Sequence, residues 1–434
     1  MKNKSNKSRK IALLLLEEIL IKEVHTYIAL NKNKPTLNEL GENDKKFTFN
    51  LLMTVIRRLG HIDLIIDKFI DRPIKKNNIT IKNILRIGIA QIIFLNTPDH
   101  AAVNQSVELA TGDFIRYKSL INAILRKVVI SKKLIDKVIS NPLKNLPNSL
   151  SEKWINDYGV ESTKAIAKIF MQQAPIDIST KKSPDIISKK IGGLLLPNKS
   201  IRLKKNIQIT EVDNFKDGEW WVQNSAAAIP ANLLINSINN LKLNKDVIDI
   251  CAAPGGKTAQ LCSAGLNVTA VDKSEERINL LKENLKRLKL SANILRIDAT
   301  KLSFKKSFAG ILLDAPCTGT GTIGRRPDIA WHKNLQLISK LNYIQERMLR
   351  RSSEILVKGG VLVYSVCSLE KEEGINLVKN IKKSCNLSVL EINSDEAPGL
   401  ENSITSEGFI QTLPYFWKDI GGIDGFFIAR FIKN

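Results

Sequence analysis

Cysteine and histidine are scarce: five cysteines, at positions 251, 262, 317, 367 and 385, and four histidines in 434 residues. The cysteines show no paired spacing, so neither a disulfide framework nor a zinc site is supported. That usage fits a reducing cytosol, and a cytoplasmic, metal-free chain is expected. No run of about 18 apolar residues occurs, which excludes a membrane-spanning helix. Lys2 to Lys10, followed by Ile11 to Leu16, imitates a signal peptide, but Glu17 and Glu18 cut the apolar run and no small-residue cleavage site follows. It reads as a basic arm entering a helix. Two phosphate signatures are also missing. A P-loop would need glycine five residues before Gly256, where Cys251 stands, and G-x-G-x-x-G fails because Gly255 and Gly256 are adjacent. A nucleoside triphosphatase is therefore disfavoured, and hydride chemistry survives only as a weak alternative.

What is abundant is positive charge. Lys and Arg number 66 against 43 Asp and Glu, a net +23, and positions 1–150 alone hold 26 basic and 13 acidic residues. Any one cluster can be a solvated surface, but the whole points to a polyanionic partner. The length suggests two or three domains.

Residues 1–145 carry apolar residues at three and four spacing, with no strand-like alternation. The spacing predicts helices over Ile11 to Ala29, Asp44 to Leu59, Ile62 to Ile70, Ile81 to Leu95, Ala102 to Ala110 and Ser119 to Val129: an all-α domain. Residues 146–225 shift to short strands and single helices, an α+β, RRM-like subdomain. Strands are expected at Ile176–Ser179, Ile201–Leu203 and Ile207–Thr210, with a helix capped by Ser183, started by Pro184 and closed by Gly192–Gly193. Trp220 and Trp221 read as core anchors in preference to base-stacking platforms. From 226 to 434 apolar strands alternate with helices, as a parallel α/β sheet requires.

Within that last segment, Val247 to Thr258 reads as a buried strand turning through Gly255 and Gly256 into a helix N-terminus. The strand Val268–Val271 ends in Asp272, placed to accept hydrogen bonds from ribose hydroxyls, which implies a nucleoside. The strand Ile294–Ile297 ends in Asp298, either a contact for an adenine amino group or a plain turn residue. Ile311–Asp314 leads into Cys317, and Val361–Tyr364 leads into Cys367. A lone cysteine is usually a buried small hydrophobe, but two at strand ends fall in the crevice where open α/β sheets bind ligands.

Two resemblances rest on these residues. Ile84 to Leu95 and His100 to Ala110 resemble the helical RNA-binding fold of the NusB antitermination factors, which implies an RNA-binding N-terminal domain; a helical scaffold is the alternative. Asp249 to Thr258, Asp314 to Gly321, Arg326-Pro-Asp-Ile-x-Trp331, Tyr364 to Ser368 and Asp424 to Arg430 resemble the RNA cytosine-5 methyltransferases, most closely those of 16S ribosomal RNA. The chain departs from the pattern at Asn224, Val366 and Gly324, none of them a catalytic position. The resemblance implies a Rossmann-like S-adenosylmethionine-dependent domain acting, as a monomer, on 16S ribosomal RNA or a small-subunit precursor. It implies Cys367 as nucleophile, Cys317 assisting product release, and Asp314 on the cytosine ring. It also implies that Cys251, Ala252, Ala253, Pro254, Gly255, Gly256, Lys257, Asp272, Asp298 and Asp314 hold the cofactor. The chemistry explains why a thiolate is needed: cytosine C5 becomes nucleophilic only after addition at C6. A non-catalytic RNA-binding or assembly factor on the same scaffold remains the contrasting class, as does methylation of another RNA such as tRNA.

Overall fold

The apolar stripes of the first 145 residues do wind into helices, and they bury one continuous core that runs from Ile11 to Ile135. The computed structural model describes residues 4–204, 209–332, 334–381 and 384–434. By contact the chain divides into two units, residues 1–173 with 323–333, and residues 174–322 with 334–434.

In the first unit the helices are Lys4–Leu20, Thr26–Lys32, Glu42–Arg57, Leu59–Phe69, Ile79–Ile89, Asp99–Val107 and Lys118–Ile130, among shorter ones. The single helix expected from Ile11 to Ala29 is in fact two. The chain turns through Glu23 at φ +52°, and the second helix begins at Thr26, whose backbone N–H donates to the Asp328 carboxylate at 3.3 Å. His25 supplies no cap of its own, so a carboxylate about 300 residues away does the capping. Its other neighbours are His25 Nδ1, at 3.2 Å from Oδ2, and the ring of His332. The helix expected to reach Leu95 passes at Ala90 into a π turn, Ala90–Phe94, where the buried Gln91 amide oxygen accepts from Arg9 Nε at 2.8 Å.

The helical unit also runs further than the expected boundary at 145. Helices Asn148–Tyr158 and Val160–Phe170 join at Gly159, φ +82°, and face each other through Trp154 and Phe170. Arg58 Nη1 meets Met171 Sδ at 3.0 Å, which ties that pair back to the first helices. Residues 323–333 belong to the same unit: Trp331 Nε1 donates to Ile56 O at 3.2 Å, and its ring packs on the helical core.

The second unit opens with a small antiparallel sheet of strands β1 (Asp177–Thr180), β2 (Leu194–Leu195), β3 (Ile201–Arg202) and β4 (Trp220–Val222), in the order β2-β3-β1-β4. Trp220 and Trp221 are both buried, the first with Ile178, Ile187 and Ile201, so they are core anchors. Ser183 does not cap the helix Pro184–Ile191. It sits at φ +47° and its side chain accepts no capping bond, although Gly192 closes the helix at φ +61°. Of the strand expected at Ile207–Thr210, residues 207 and 208 lie outside the described residues, and Ile209–Glu211 is a 3-10 turn.

The larger sheet contains β5 (Asp246–Ile250), β6 (Asn267–Asp272), β7 (Asn293–Arg296), β8 (Phe308–Asp314), β9 (Leu356–Val366), β10 (Leu387–Val389), β11 (Ile410–Thr412) and β12 (Phe426–Lys433). Its order is β10-β12-β9-β8-β5-β6-β7, with β11 on β12; β9 to β7 run parallel and β12 returns antiparallel. Side chains alternate between the two faces. Ile248, Ile250, Ile311, Leu313, Leu362 and Tyr364 enter one core, and Val247, Leu312, Val361 and Val363 enter the other. The architecture is the expected Rossmann-like α/β sheet preceded by a helical domain. Because β5 leads to β6 on one side while β8 pairs with β5 on the other, the strand order reverses between β5 and β8. That is where such sheets bind ligands. Among the described residues no helix is long and apolar enough to cross a membrane.

Candidate active site

The sequence around β5 explains the cleft above it. A run of buried residues ends at Ile250, and Cys251 then takes φ +63°, a left-handed conformation that turns the chain away from the strand. Gly255 follows at φ +104°, where a Cβ atom would collide with Leu281. The helix Gly256–Ser263 starts at once, its N-terminus facing a cavity of about 410 Å³. Cys251, Ala252, Ala253, Pro254, Gly255, Gly256, Lys257 and Asp314 all line that cavity, as the sequence led one to expect.

Asp272 and Asp298 do not line it. Asp272 sits buried at the end of β6, where it accepts from Ala253 N at 3.3 Å and Ser274 N at 3.1 Å and so braces the glycine turn. Arg277 lies 3.5 Å from the same carboxylate. Asp298 is exposed and caps a turn through Thr300 N and Oγ1, at 2.9 and 2.8 Å; those bonds hold its carboxyl below the usual range. Its carboxylate thus caps a turn at an exposed strand end.

Other lining residues had been given no role in cofactor binding. Trp221, Gln223 and Asn224 form one wall, with Gln223 Nε2 donating to Gln260 Oε1 at 2.6 Å. Asn224, where the family pattern has aspartate, caps the helix Ser225–Asn240 by accepting from Ala226 N at 2.9 Å. Asp249 forms part of the floor. It is fully buried, takes a 2.6 Å bond from Thr258 Oγ1, and leaves Oδ1 without a partner. Burial, the largest influence, pushes its carboxyl up to about 7. The same cause raises the Cys251 thiol to about 12, so that sulfur is a neutral wall and not a nucleophile.

Asp314 joins the cavity to the cysteines. Lys257 Nζ donates to Asp314 Oδ2 at 2.8 Å, and Ser365 Oγ donates to Oδ1 at 2.9 Å. Lys257 also lies 5.5 Å from the centre of the Phe426 ring. Past the ends of β8 and β9, Cys317 Sγ and Cys367 Sγ approach to 3.4 Å. The two loops are laced together: Ala315 N donates to Ser365 O at 2.9 Å and Gly321 N to Cys367 O at 3.1 Å. Gly321 packs so closely on Gly425 that a Cβ atom would overlap the Gly425 carbonyl. The Cys317 thiol is held well above its ordinary value, first by the hydrogen bond with Cys367, then by burial and the negative Glu373 and Asp314. Either sulfur can donate to the other.

Beneath the cysteines lies a carboxylate that the sequence did not announce. Glu373, fully buried, accepts from Thr318 N and Oγ1 on one loop and from Ser368 Oγ on the other. The hydroxyls that immediately follow both cysteines were the available clue, since two buried hydroxyls need an acceptor.

The cavity fits S-adenosylmethionine in size and in donors. It offers helix N–H groups and Lys257 for a carboxylate, and the unpartnered Asp249 Oδ1 for a donor. Comparison with known proteins agrees with this arrangement. Residues 237–432 match the model described as 16S rRNA methyltransferase RsmB/F, and residues 6–129 match the NusB family. The chain is 29% identical to the probable ribosomal RNA small subunit methyltransferase B of Synechocystis sp., over 98% of this chain and 99% of that one. It is 28% identical to ribosomal RNA small subunit methyltransferase B of Shigella flexneri, over 92% and 93%. Two solved structures share the fold. One, of PH0851, has a TM-score of 0.72 at 19% identity and covers 99% of this chain and 98% of its own. The other, a methyltransferase homologue from Pyrococcus horikoshii, has a TM-score of 0.52 at 23% identity and covers 67% of this chain and all of its own. Residues 6–129 are thus a NusB-family domain, and residues 237–432 are a methyltransferase domain of the 16S rRNA methyltransferase RsmB/F family.

Proposed function

We propose that this chain methylates C5 of a cytosine in 16S ribosomal RNA through a covalent bond between Cys367 and C6. The observation that carries the reading is the pair of sulfurs, 3.4 Å apart just past the ends of β8 and β9, with Asp314, the last residue of β8, lining the glycine-turn cavity. S-adenosylmethionine, held by residues 251–257 with Asp314, Asp249 and Asp272, supplies an electrophilic methyl group. Asp272 retains lone pairs for ribose hydroxyls beyond those used by Ala253 and Ser274, because a carboxylate offers about four. Lys257 and Ser365 fix both oxygens of Asp314, which hydrogen-bonds the cytosine ring as charge develops there.

The target base leaves its stack to reach the site. The Cys367 sulfur gives its proton to solvent and adds to C6 as the thiolate, and the displaced ring pair makes C5 nucleophilic. Once C5 carries the methyl group, solvent takes its proton, the C5–H pair becomes the C5–C6 double bond, and the C6–S pair leaves with the Cys367 sulfur. The Cys317 S–H then stabilises the departing thiolate by donating to it. That division of labour is the one the family resemblance implies; the Cys317 thiol is raised above its ordinary value by the hydrogen bond with Cys367 and by burial.

The test uses the full chain with small-subunit RNA. Cys367→Ala should abolish methylation and trap nothing, whereas Cys317→Ala should accumulate a protein–RNA adduct that survives a denaturing gel. An adduct in Cys367→Ala alone would reverse the roles, and full activity of both variants would sink the covalent route. Mapping 5-methylcytosine in ribosomal RNA with and without the protein identifies the target, and no change there would exclude 16S RNA as substrate.

A further inference from the structure

Two catalytic sulfurs on separate loops must keep one register through addition, transfer and elimination, yet neither loop is part of a regular element. Cys317 lies three residues beyond β8, and Cys367 follows the last residue of β9. What links them from below is the Glu373 carboxylate. Thr318 N donates to both of its oxygens, at 3.0 and 3.2 Å; Thr318 Oγ1 donates to Oε2 at 2.5 Å, and Ser368 Oγ donates to the same oxygen at 2.6 Å. Gln345, from the helix Ile338–Glu354, divides its amide between Glu373 Oε1 at 3.0 Å and Pro316 O at 2.8 Å. Glu373 is itself anchored, since its carbonyl accepts from the buried Tyr364 hydroxyl at 2.7 Å. Each cysteine is therefore followed by a hydroxyl that ends on the same carboxylate oxygen.

We propose that Glu373 is a positioning residue that clamps the Cys317 and Cys367 loops together and keeps their two sulfurs in register. It bonds to neither sulfur and holds the two loops through Thr318 and Ser368. The catalytic part of this inference rests on the two-cysteine reaction proposed above; the register itself does not, so the two can be tested apart.

The register is read without RNA, by bridging the paired thiols of the full chain with dibromobimane, each sulfur displacing one bromide, and locating the bridge by peptide mass spectrometry. Glu373→Ala should slow bridging between Cys317 and Cys367 by about tenfold, through lost proximity, with cofactor affinity unchanged. Thr318→Val, isosteric and lacking the hydroxyl, should slow it less, and it takes the place of Glu373→Ala if that variant does not fold. Glu373→Gln, which keeps an oxygen for the two hydroxyls, should restore most of the rate. With RNA, Glu373→Ala should lower kcat by about 100-fold at unchanged RNA affinity and accumulate the covalent adduct, since displacement of about 1 Å costs that much.

Wild-type bridging rates in both Glu373→Ala and Thr318→Val overturn the proposal, even if Cys317→Ala traps RNA. A fall in RNA affinity with no change in kcat overturns it as well. Slowed bridging with no adduct from any variant, Cys317→Ala included, supports the clamp and sinks the covalent reaction instead.

Discussion

Replacing Asp249 by Asn should stabilise the protein at high pH and do progressively less as the pH falls. Asp249 is fully buried on β5, with Thr258 Oγ1 on one oxygen and nothing on the other, and its carboxyl titrates near 7. In the unfolded chain the same group titrates near 3.9. The folded protein thus holds this proton more tightly than the unfolded chain does. Below pH 4 the group costs nothing. As the pH rises from 4 to 7 the unfolded chain gives up the proton first, stability falls, and above 7 the loss levels off. The difference of about 3 units, at about 1.36 kcal/mol each, sets that loss at about 4 kcal/mol. Asn keeps the shape and an acceptor for Thr258, but its amide N–H₂ faces the unpartnered side, at a constant cost of about 1–3 kcal/mol. The slope with pH is therefore the diagnostic quantity, not the absolute value. Calorimetry of wild type and Asp249→Asn without ligand, from pH 4.5 to 8.5, should show the difference in melting temperature grow by roughly 4–8 °C and then flatten above pH 7. A difference that stays constant over that range would refute the reasoning, because it would mean that Asp249 is ionised or neutral throughout.

Asp272→Ala should weaken S-adenosylmethionine binding by about 1.5–3 kcal/mol in titration calorimetry, with Asp272→Asn between; unchanged affinity would leave Asp272 only its brace on the glycine turn. Arg202→Met removes the partner at 2.7 and 3.0 Å from the buried Asp177, which would keep only Ser225 and Asn224, and should lower stability by about 3–5 kcal/mol in denaturant titrations. Since residues 1–150 carry 26 basic against 13 acidic side chains, replacing several of their lysines by glutamine should reduce the slope of log K against log salt by roughly 0.7–0.9 for each phosphate no longer neutralised. An unaltered slope would make that domain a scaffold.

The parts of this site that were legible in the sequence are the parts carried by local chain geometry. A buried strand followed by Gly255 and Gly256 can hardly be anything but a ligand-binding turn, and Cys317 and Cys367 follow apolar runs that had to be neighbouring parallel strands. The helix after Ser274 buries Ile278, Leu281, Leu285 and Leu288 as its period required. What stayed hidden depends on partners remote in the chain. Lys257 finds Asp314 57 residues away, and Glu373 finds Thr318 55 residues away. Ser183 had the composition of a cap, but its left-handed backbone turns the side chain off the helix end. The break after Leu20 was invisible because the group that starts the next helix is Asp328. Asp298 was correctly placed at a strand end, and only the exposure of that end gives it a turn's duties.

Residues 323–333 make the helical unit inseparable from the chain that follows it. A motif that carries the methyltransferase resemblance, Arg326 to Trp331, is a thread sewn back into the opening domain, with Ile329 and Ala330 buried and Trp331 packed on the helical core. Cutting the gene after residue 145, or after 173, would therefore yield two unfinished pieces: a bundle missing one of its seams, and an enzyme trailing an apolar ribbon with nothing to cover it. Removing the first domain therefore calls for a second change, in residues 323–333, whose apolar side chains would need another cover or polar replacements.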